Sequence, residues 1–266
     1  MKKIEFTSNV LFGFLKPFPS AFASALLFGF LISSLPAKAL TVDDLNLISA
    51  AGRGDTRLFK IMLARGVSPN ALDHGNNSAV LMAAYYSKRE MVRQLIEMHA
   101  DVNVLGSIGF TPVGIAAMRG DVEIVKMLIA AGAKLDVLDY EGETPLLRAI
   151  RFQRDDNLKV ILGADVNVDI SNQSGETPLM LAAEMGRLDY VEALLAKRAG
   201  TNAKNHSGNT ALYFAIFEGH DEVAKRLIQA GSTVQGLNDG YTILHWAEAM
   251  GRTDLVPLLV KAGAVN

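Results

Sequence analysis

The residue types that most often perform enzyme chemistry are few in this chain and stand apart from one another. There are five histidines and no cysteine, which excludes disulfide frameworks, zinc–thiolate sites and cysteine nucleophiles. The sequence contains no glycine-rich phosphate loop, no His-Glu-x-x-His pair and no Gly-x-Ser-x-Gly turn. It therefore predicts no catalytic residue, no metal site and no cofactor, and an enzyme is the least favoured reading.

Two charged clusters have non-catalytic explanations. Asp155 and Asp156 are adjacent, and adjacent residues on a helix do not face each other, so we expect a solvated helix start. Arg148, Arg151 and Arg154 are three residues apart and would share a helix face. This face is either an anion patch or a solvated surface. The net charge of −2 favours the solvated surface and gives no electrostatic reason to expect nucleic acid.

The segment 109–135 shows how the chain is built. Thr111 can cap a helix with its hydroxyl, and Pro112 suits the first helical position. Gly120 can end that helix, and a second apolar helix follows as far as Gly132. Neither helix could bury its apolar face alone, so the segment needs copies of itself alongside.

The copies recur at a fixed period. Thr111, Thr144, Thr177 and Thr210 are 33 residues apart, and Thr242 follows after 32. Counting back from Thr111 by the same step gives Ser78 and then Leu45, so seven units lie between residues 40 and 266. Such a period predicts an all-α repeat solenoid in which helix pairs are joined by hairpin-like loops.

The chain resembles ankyrin-repeat proteins, and the resemblance covers residues 40–266. The residues that carry it are Gly109, Thr111, Pro112, Ala116, Ala117 and Gly120 in the third unit, Gly142, Thr144, Pro145 and Leu146 in the fourth, Gly175, Thr177, Pro178, Leu179, Ala182, Ala183 and Gly186 in the fifth, and Gly240, Thr242, Leu244, His245, Ala247, Gly251 and Gly263 in the seventh. The resemblance implies a monomeric, non-enzymatic module that binds a protein partner through a concave face and hairpin tips, with no small-molecule substrate. It also implies that His245 braces its helix start by hydrogen bonding.

Residues 1–39 do not belong to the repeats. Lys2, Lys3 and Lys16 precede an uncharged apolar run that ends at Pro36, and a small-x-small site follows at 37–39. This layout predicts a secretory signal peptide that is cleaved after Ala39. Cleavage would remove four Lys and one Glu, leaving 22 basic and 27 acidic residues, a net charge of −5.

The N-terminal prediction sets the expected location. A signal on a cysteine-free array resembles exported bacterial ankyrin proteins, which implies a periplasmic or secreted protein. If residues 17–35 were retained, they would be close to the length that spans a bilayer, and the chain would be a membrane-anchored scaffold. Delivery into another cell is a third possibility that the sequence does not separate from residence in the envelope.

Several units depart from the pattern. In the first, Asp43 or Asp44 is expected to replace the capping Thr. In the fourth, the Gly163-Ala164 stop arrives two residues early, which predicts a shortened second helix and an enlarged loop at 168–174. In the seventh, Pro257 predicts a kink or a late helix start.

Candidate binding residues come from two repeat offsets. One is the hairpin residue just before the capping Thr, with Tyr140 nearby, and the other is the pair after the double Ala, on the exposed side of the first helix of each unit. Both are rich in aromatic, Met and Arg residues, which are enriched at protein interfaces. The alternative is that these side chains pack between repeats. The predicted contact residues are Tyr85, Tyr86, Phe110, Met118, Arg119, Tyr140, Arg151, Phe152, Met185, Phe217 and Tyr241.

Overall fold

The computed structural model describes residues 40–107, 109–238 and 240–265. The predicted signal peptide and its cleavage site lie outside the described residues. Within the described residues no helix is long and apolar enough to cross a membrane.

Each unit begins with a helix whose N-terminus is capped by a hydroxyl side chain. The capping residues Thr41, Ser78, Thr111, Thr144, Thr177, Thr210 and Thr242 each accept a hydrogen bond from the backbone N–H three residues later. A cap of this kind stabilises a helix by about 1 kcal/mol. In the first unit the prediction was wrong in detail. Thr41 is the cap, and Asp44 completes a capping box by accepting from the Thr41 backbone N–H at 2.8 Å.

The capped helices form the first of two rows. They are α1 (Val42–Arg53), α3 (Ala79–Tyr85), α5 (Pro112–Arg119), α7 (Pro145–Arg151), α9 (Pro178–Glu184), α11 (Ala211–Phe217) and α13 (Ile243–Ala249). Each of these odd-numbered helices packs against the next one in the series. Small residues at the facing positions, such as Ala83, Ala116 and Ala182, are fully buried and let the helices approach closely.

The second row is made of the helices that return along the first. They are α2 (Thr56–Ala64), α4 (Arg89–Glu97), α6 (Val122–Ala130), α8 (Asp155–Gly163), α10 (Leu188–Ala196), α12 (Asp221–Gln229) and α14 (Val256–Lys261). Each packs against the odd-numbered helix of its own unit, and the buried core lies between the two rows. The described part of the chain thus contains fourteen helices arranged as the predicted all-α repeat solenoid.

In the part of the chain that the structure describes, sheet structure is limited to the hairpin loops. β1 (Leu237–Asn238) pairs antiparallel with β2 (Tyr241–Thr242), with Leu237 opposite Thr242. An isolated bridge joins Leu72 to Ser78 in an earlier loop. These short pairings fold the chain before Ser78 and Thr242 into a hairpin that leads into the capped helix.

A ladder of side-chain acceptors joins consecutive units. Asn70, Asn103, Asp136, Asp169 and Asn202 are spaced by 33 residues. The Oδ1 atom of each accepts from a backbone N–H 31 residues further on, at 2.7–3.2 Å. Because each bond crosses from one unit to the next, the ladder fixes the spacing of the repeats.

The fourth unit corrects the prediction of a short helix. α8 has nine residues, as do α4, α6, α10 and α12, so neither a shortened helix nor an enlarged loop is present. Gly163 is the last helical residue, and Ala164 is extended with φ −90° and ψ 177°. One residue further on, at the position of Asp165, other units have a left-handed residue, such as Gly132 or the non-glycine Arg198 at φ 62°. The unit therefore differs only in how its second helix ends.

Of the two outcomes predicted for Pro257, a kink or a late helix start, the structure shows the late start. α14 begins at Val256, so Pro257 lies in the first turn, where no backbone hydrogen bond is lost. The late start leaves α14 with six residues against nine in the interior units.

Candidate protein-binding surface

The ends of the odd-numbered helices form two rows that run across the units. From the second unit to the seventh, the seventh and eighth residues after the cap stand at this end. Because neighbouring odd-numbered helices pack side by side, equivalent residues of consecutive units are neighbours. We call the residues of units two to six the helix-end surface: Tyr85, Tyr86, Met118, Arg119, Arg151, Phe152, Glu184, Met185, Phe217 and Glu218.

Most predicted contact residues reach the surface, and two do not. Tyr86, Arg119, Tyr140, Phe152, Phe217 and Tyr241 are exposed, and Tyr85, Arg151 and Met185 are half-buried. Phe110 and Met118 are only 6% and 4% exposed. Contrary to prediction, these two side chains are not accessible to a partner.

The burial of Phe110 and Met118 has a local cause. The Arg148 guanidinium carbon lies 4.9 Å from the centre of the Phe110 ring and covers it. Arg154 of the following unit crosses the end of α5, where its Nε donates to the Met118 carbonyl at 2.8 Å. Both residues therefore pack between repeats, which is the alternative that the sequence left open.

The first part of the helix-end surface is aromatic with one cation. The Tyr85 and Tyr86 rings meet edge to face, with centres 4.8 Å apart. The Arg119 guanidinium carbon lies 4.9 Å from the centre of the Tyr85 ring, a cation–π contact between units two and three. Tyr86 packs on Gly52 of α1, where an added Cβ would lie 3.2 Å from the ring. These contacts hold both rings in fixed positions.

Tyr140 is the most exposed of the predicted aromatic residues and is held by a neighbouring loop. Its ring and backbone lie against Gly109, where an added Cβ would come within 2.5 Å. Gly109 also has φ +75°, so a side chain there would be strained as well as crowded. The glycine thereby lets the two loops stack and presents the Tyr140 ring to solvent.

The three arginines of the fourth unit are neither an anion patch nor a solvated face. Arg148 is 4% exposed and lies between Asp139 at 2.6 Å and Glu141 at 2.8 Å. Arg151 donates to Glu143 Oε1 at 2.6 Å, and Arg154 caps the end of α5. The prediction of a solvated face is wrong because hairpin carboxylates draw Arg148 and Arg151 inward, and the Met118 carbonyl holds Arg154 against the end of α5.

Further along the rows the charge changes sign. Glu184 ends α9, and Glu218 follows α11 in the next unit. Neither carboxylate has an ion-pair partner among the described residues. Although part of the Glu184 side chain reaches solvent, the surrounding protein desolvates its carboxylate. That desolvation, followed by repulsion from Glu176 and Glu218, raises its pKa, and Arg151 offsets only part of the rise. The helix-end surface thus runs from a cationic end at Arg119 to an anionic end at Glu218.

An aromatic cluster closes the surface at units six and seven. Phe217 stacks on Tyr213 with ring centres 5.5 Å apart and meets the edge of Trp246 at 5.5 Å. Tyr241 stacks on the His245 ring at 4.6 Å. The His245 ring thus packs against an aromatic neighbour instead of making the expected bracing hydrogen bond. Phe217 and Tyr241 remain exposed, so the cluster offers apolar area next to Glu218.

The histidines do not converge on one another. His220 Nε2 lies 2.9 Å from the Glu184 carbonyl, and His245 packs on Tyr241. Among the described residues, no group of three His, Cys, Asp or Glu could hold a metal ion. What the surface offers is a preformed set of rings and charges, which suits recognition of another macromolecule.

The comparison with protein families decides the kind of scaffold. A model described as ankyrin repeats, in three copies, matches residues 47–139, 81–170, 115–205, 164–237 and 197–266. The chain belongs to the ankyrin-repeat family. Ankyrin repeats are in general protein–protein interaction modules and are typically non-enzymatic. No curated protein matches this ankyrin chain.

The named contact set omitted the residues that give this ankyrin surface its anionic end. Glu184 and Glu218 stand at the same offsets as Arg151 and Arg119, one or more units further on. The signal that could have found them is the switch from Arg to Glu at equivalent positions of successive repeats. The predicted contact residues are aromatic, Met and Arg residues only, so the two glutamates are not among them.

Proposed function

We propose that this chain is a non-enzymatic protein-binding solenoid that is exported from the cell and holds its partner through the helix-end surface and the exposed loop residues Tyr140 and Tyr241. The observation that carries the proposal is the ordered series of exposed side chains on packed helices. Tyr86, Phe152 and Phe217 keep roughly a third to a half of their area exposed in three different units. A surface that is ordered before binding loses little conformational entropy when a partner docks.

The position of the surface is tested by chemical cross-linking in the native cell compartment. A surface variant combines Tyr86→Ala, Phe152→Ala and Phe217→Ala. A matched control combines Ile61→Ala, Leu258→Ala and Val260→Ala, which are exposed apolar residues of the even-numbered helices. We expect the surface variant to lose the cross-linked species of the wild type while the control keeps it.

Thermal unfolding of the same variants separates binding from folding. The surface variant should melt below the wild type, because its rings also pack on neighbouring side chains, but it should remain folded at the temperature of the cross-linking experiment. Loss of the cross-linked species in both variants, or in the control alone, would place the interface on the even-numbered helices and contradict the proposal.

Export is proposed from the arrangement of residues 1–39, and it is tested by the mass of the protein from fractionated bacterial cells. Release of a chain that starts at Leu40 into the soluble envelope fraction is the expected result. The full-length chain in the membrane fraction would mean an anchored scaffold, and the full-length chain in the cytosol would contradict export.

A further inference from the structure

A cleft of ≈ 410 Å³ opens between the loops that begin the fourth and fifth units. Glu143, Arg151 and Glu176 line it together with residues of the loop 172–174. Glu143 is only 5% exposed. Its Oε1 atom accepts from Arg151 at 2.6 Å, but its Oε2 atom is buried without a hydrogen-bond partner. A buried carboxylate oxygen that makes no hydrogen bond is costly, so the wall of the cleft keeps a negative charge that Arg151 does not fully satisfy.

The charges beside the cleft are not balanced. Glu176 lies in its wall and accepts a neutral hydrogen bond from Asn172 at 2.8 Å. Glu184, at the end of α9, is close enough to both Glu176 and Glu218 for their charges to interact. One cation, Arg151, thus lies near four carboxylates, which leaves a local charge of −3. The four carboxylates are those of Glu143, Glu176, Glu184 and Glu218. We call these four carboxylates the acidic strip.

Arg148 does not relieve the excess charge, because it already serves Asp139 and Glu141. The repulsion appears in the raised pKa of Glu184, which desolvation and the carboxylates of Glu176 and Glu218 produce together. A cation that entered the strip would remove this repulsion.

Apolar side chains flank the acidic strip. Phe152 and Phe217 are 37% and 36% exposed in units four and six, and Met185 stands at the same offset as Phe152 in unit five. An arginine or lysine carries a long apolar stem below its charge, and aromatic faces attract such cations. Arginine fits better, because its planar fork can donate to two carboxylate oxygens at once and its guanidinium is weakly hydrated.

We propose that the acidic strip binds an arginine-bearing, basic segment of the protein partner, with a guanidinium donating to the accessible carboxylates of Glu176 and Glu184 and the stem lying along Phe152 and Phe217. The sign of the strip excludes an anionic lipid surface or a nucleic acid as its occupant. This inference rests on the proposed function and names the chemistry of the partner.

The test uses a synthetic peptide of Gly and Ser residues that carries four arginines, and its binding to the protein is followed by fluorescence anisotropy. The double variant Glu184→Gln and Glu218→Gln removes two charges from the strip. The control Glu97→Gln and Glu192→Gln removes two exposed charges from even-numbered helices and so has the same net charge. We expect the strip variant to bind the peptide about tenfold more weakly and the control to bind like the wild type.

Further arms decide what the strip recognises. Binding should weaken as salt rises, and a peptide with lysine in place of arginine should bind less tightly. Equal loss in the strip variant and the control would show only non-specific attraction and overturn the inference. Calcium chloride that displaces the peptide at equal concentration would reassign the strip to a metal ion and also overturn it.

The native partner distinguishes this inference from the broader proposal. If the strip variant keeps the cross-linked species that the Tyr86, Phe152 and Phe217 variant loses, the partner uses the aromatic surface without a basic segment. The inference then fails and the proposed function stands. If neither variant loses the species, the proposed function fails as well.

Discussion

Single residues show where repeat arithmetic stops being informative. The spacing of Arg148 and Arg151 predicts that they share a helix face. It does not predict that a loop covers Arg148 and brings Asp139 and Glu141 within ion-pair distance of it. Phe110 precedes its capping Thr as Tyr241 does, yet only Tyr241 is exposed, because Arg148 covers Phe110. An offset fixes the backbone position of a residue. The size and charge of the neighbouring unit's side chains decide whether that residue is buried.

The buried ion pair gives the first prediction at this scale. Arg148→Ala leaves Asp139 with its backbone hydrogen bonds but without its ion-pair partner, in a site where both side chains are at most 5% exposed. We expect a loss of about 3–5 kcal/mol in the free energy of unfolding, because an uncompensated buried charge is left behind. Arg65→Ala breaks the exposed pair with Asp43 and should cost no more than about 1 kcal/mol. Urea denaturation followed by circular dichroism measures both, and similar losses would contradict the argument.

The carboxylate of Glu184 predicts a pH effect. A carboxyl group whose pKa is raised in the folded protein keeps its proton longer there than in the unfolded chain. Its contribution to stability is therefore present below the unfolded value, near pH ~4.3, and is lost as the pH rises through the folded value. Glu184→Gln removes the group that titrates, so the stability of the variant relative to the wild type should increase between pH 3 and pH 7. We expect a gain within about 0.5 kcal/mol, as for other surface substitutions.

Glu123 supplies the control of opposite sign. Its hydrogen bond and charge interaction with Lys126 lower its pKa, so its contribution is present above the unfolded value and is lost as the pH falls. The stability of the Glu123→Gln variant relative to the wild type should therefore decrease as the pH rises from 3 to 7. Melting temperatures across this range measure both variants, and a shift of the same sign in both would refute the assignment for Glu184.

Among the elements, the units themselves were predictable, because Thr caps, Pro at the first helical position and the 33-residue period all point to the same structure. The end of α8 was not. A glycine makes a left-handed helix end inexpensive, but it does not force one, and Gly163 stays helical. Conversely, His99 and Arg198 take the left-handed conformation without being glycine, at φ 56° and 62°. Helix ends are set by how the next unit docks as well as by the local residue.

A matched pair of substitutions tests this account of the helix ends. Neither Gly163 nor Gly132 has an atom near the position of an added Cβ, so only backbone conformation separates them. Gly163→Ala should stabilise the protein by about 0.5–1 kcal/mol, since alanine is the better helix former. Gly132→Ala should destabilise it by about 1–2 kcal/mol, because the φ of +85° opposes a side chain. Chemical denaturation gives both values, and destabilisation by Gly163→Ala would mean that the residue ends its helix in a left-handed turn.

For the whole molecule, the sequence predicted a stack of seven units but not the bonds that tie one unit to the next. The acceptors of the inter-unit ladder are Asn or Asp in loops, where such residues are common and carry no local signal. Their 33-residue spacing becomes informative only when the fold shows that a backbone N–H faces each of them. In a linear array stability is close to a sum over units and their interfaces, so each rung acts mainly on its two neighbours.

The ladder predicts unfolding that depends on position. Asn202 accepts from Thr233 N at 2.7 Å near the last unit, and Asn70 accepts from Asp101 N at 2.7 Å near the first. Substituting either by Ala should cost about 1 kcal/mol. Trp246 is the only tryptophan and lies in the seventh unit, so its fluorescence reports that end while circular dichroism reports all helices. Asn202→Ala should lower the fluorescence midpoint in urea more than the dichroism midpoint, and Asn70→Ala should leave the fluorescence midpoint nearly unchanged. Equal shifts of both signals in both variants would mean that the array unfolds as one cooperative block, with each rung coupled to every unit.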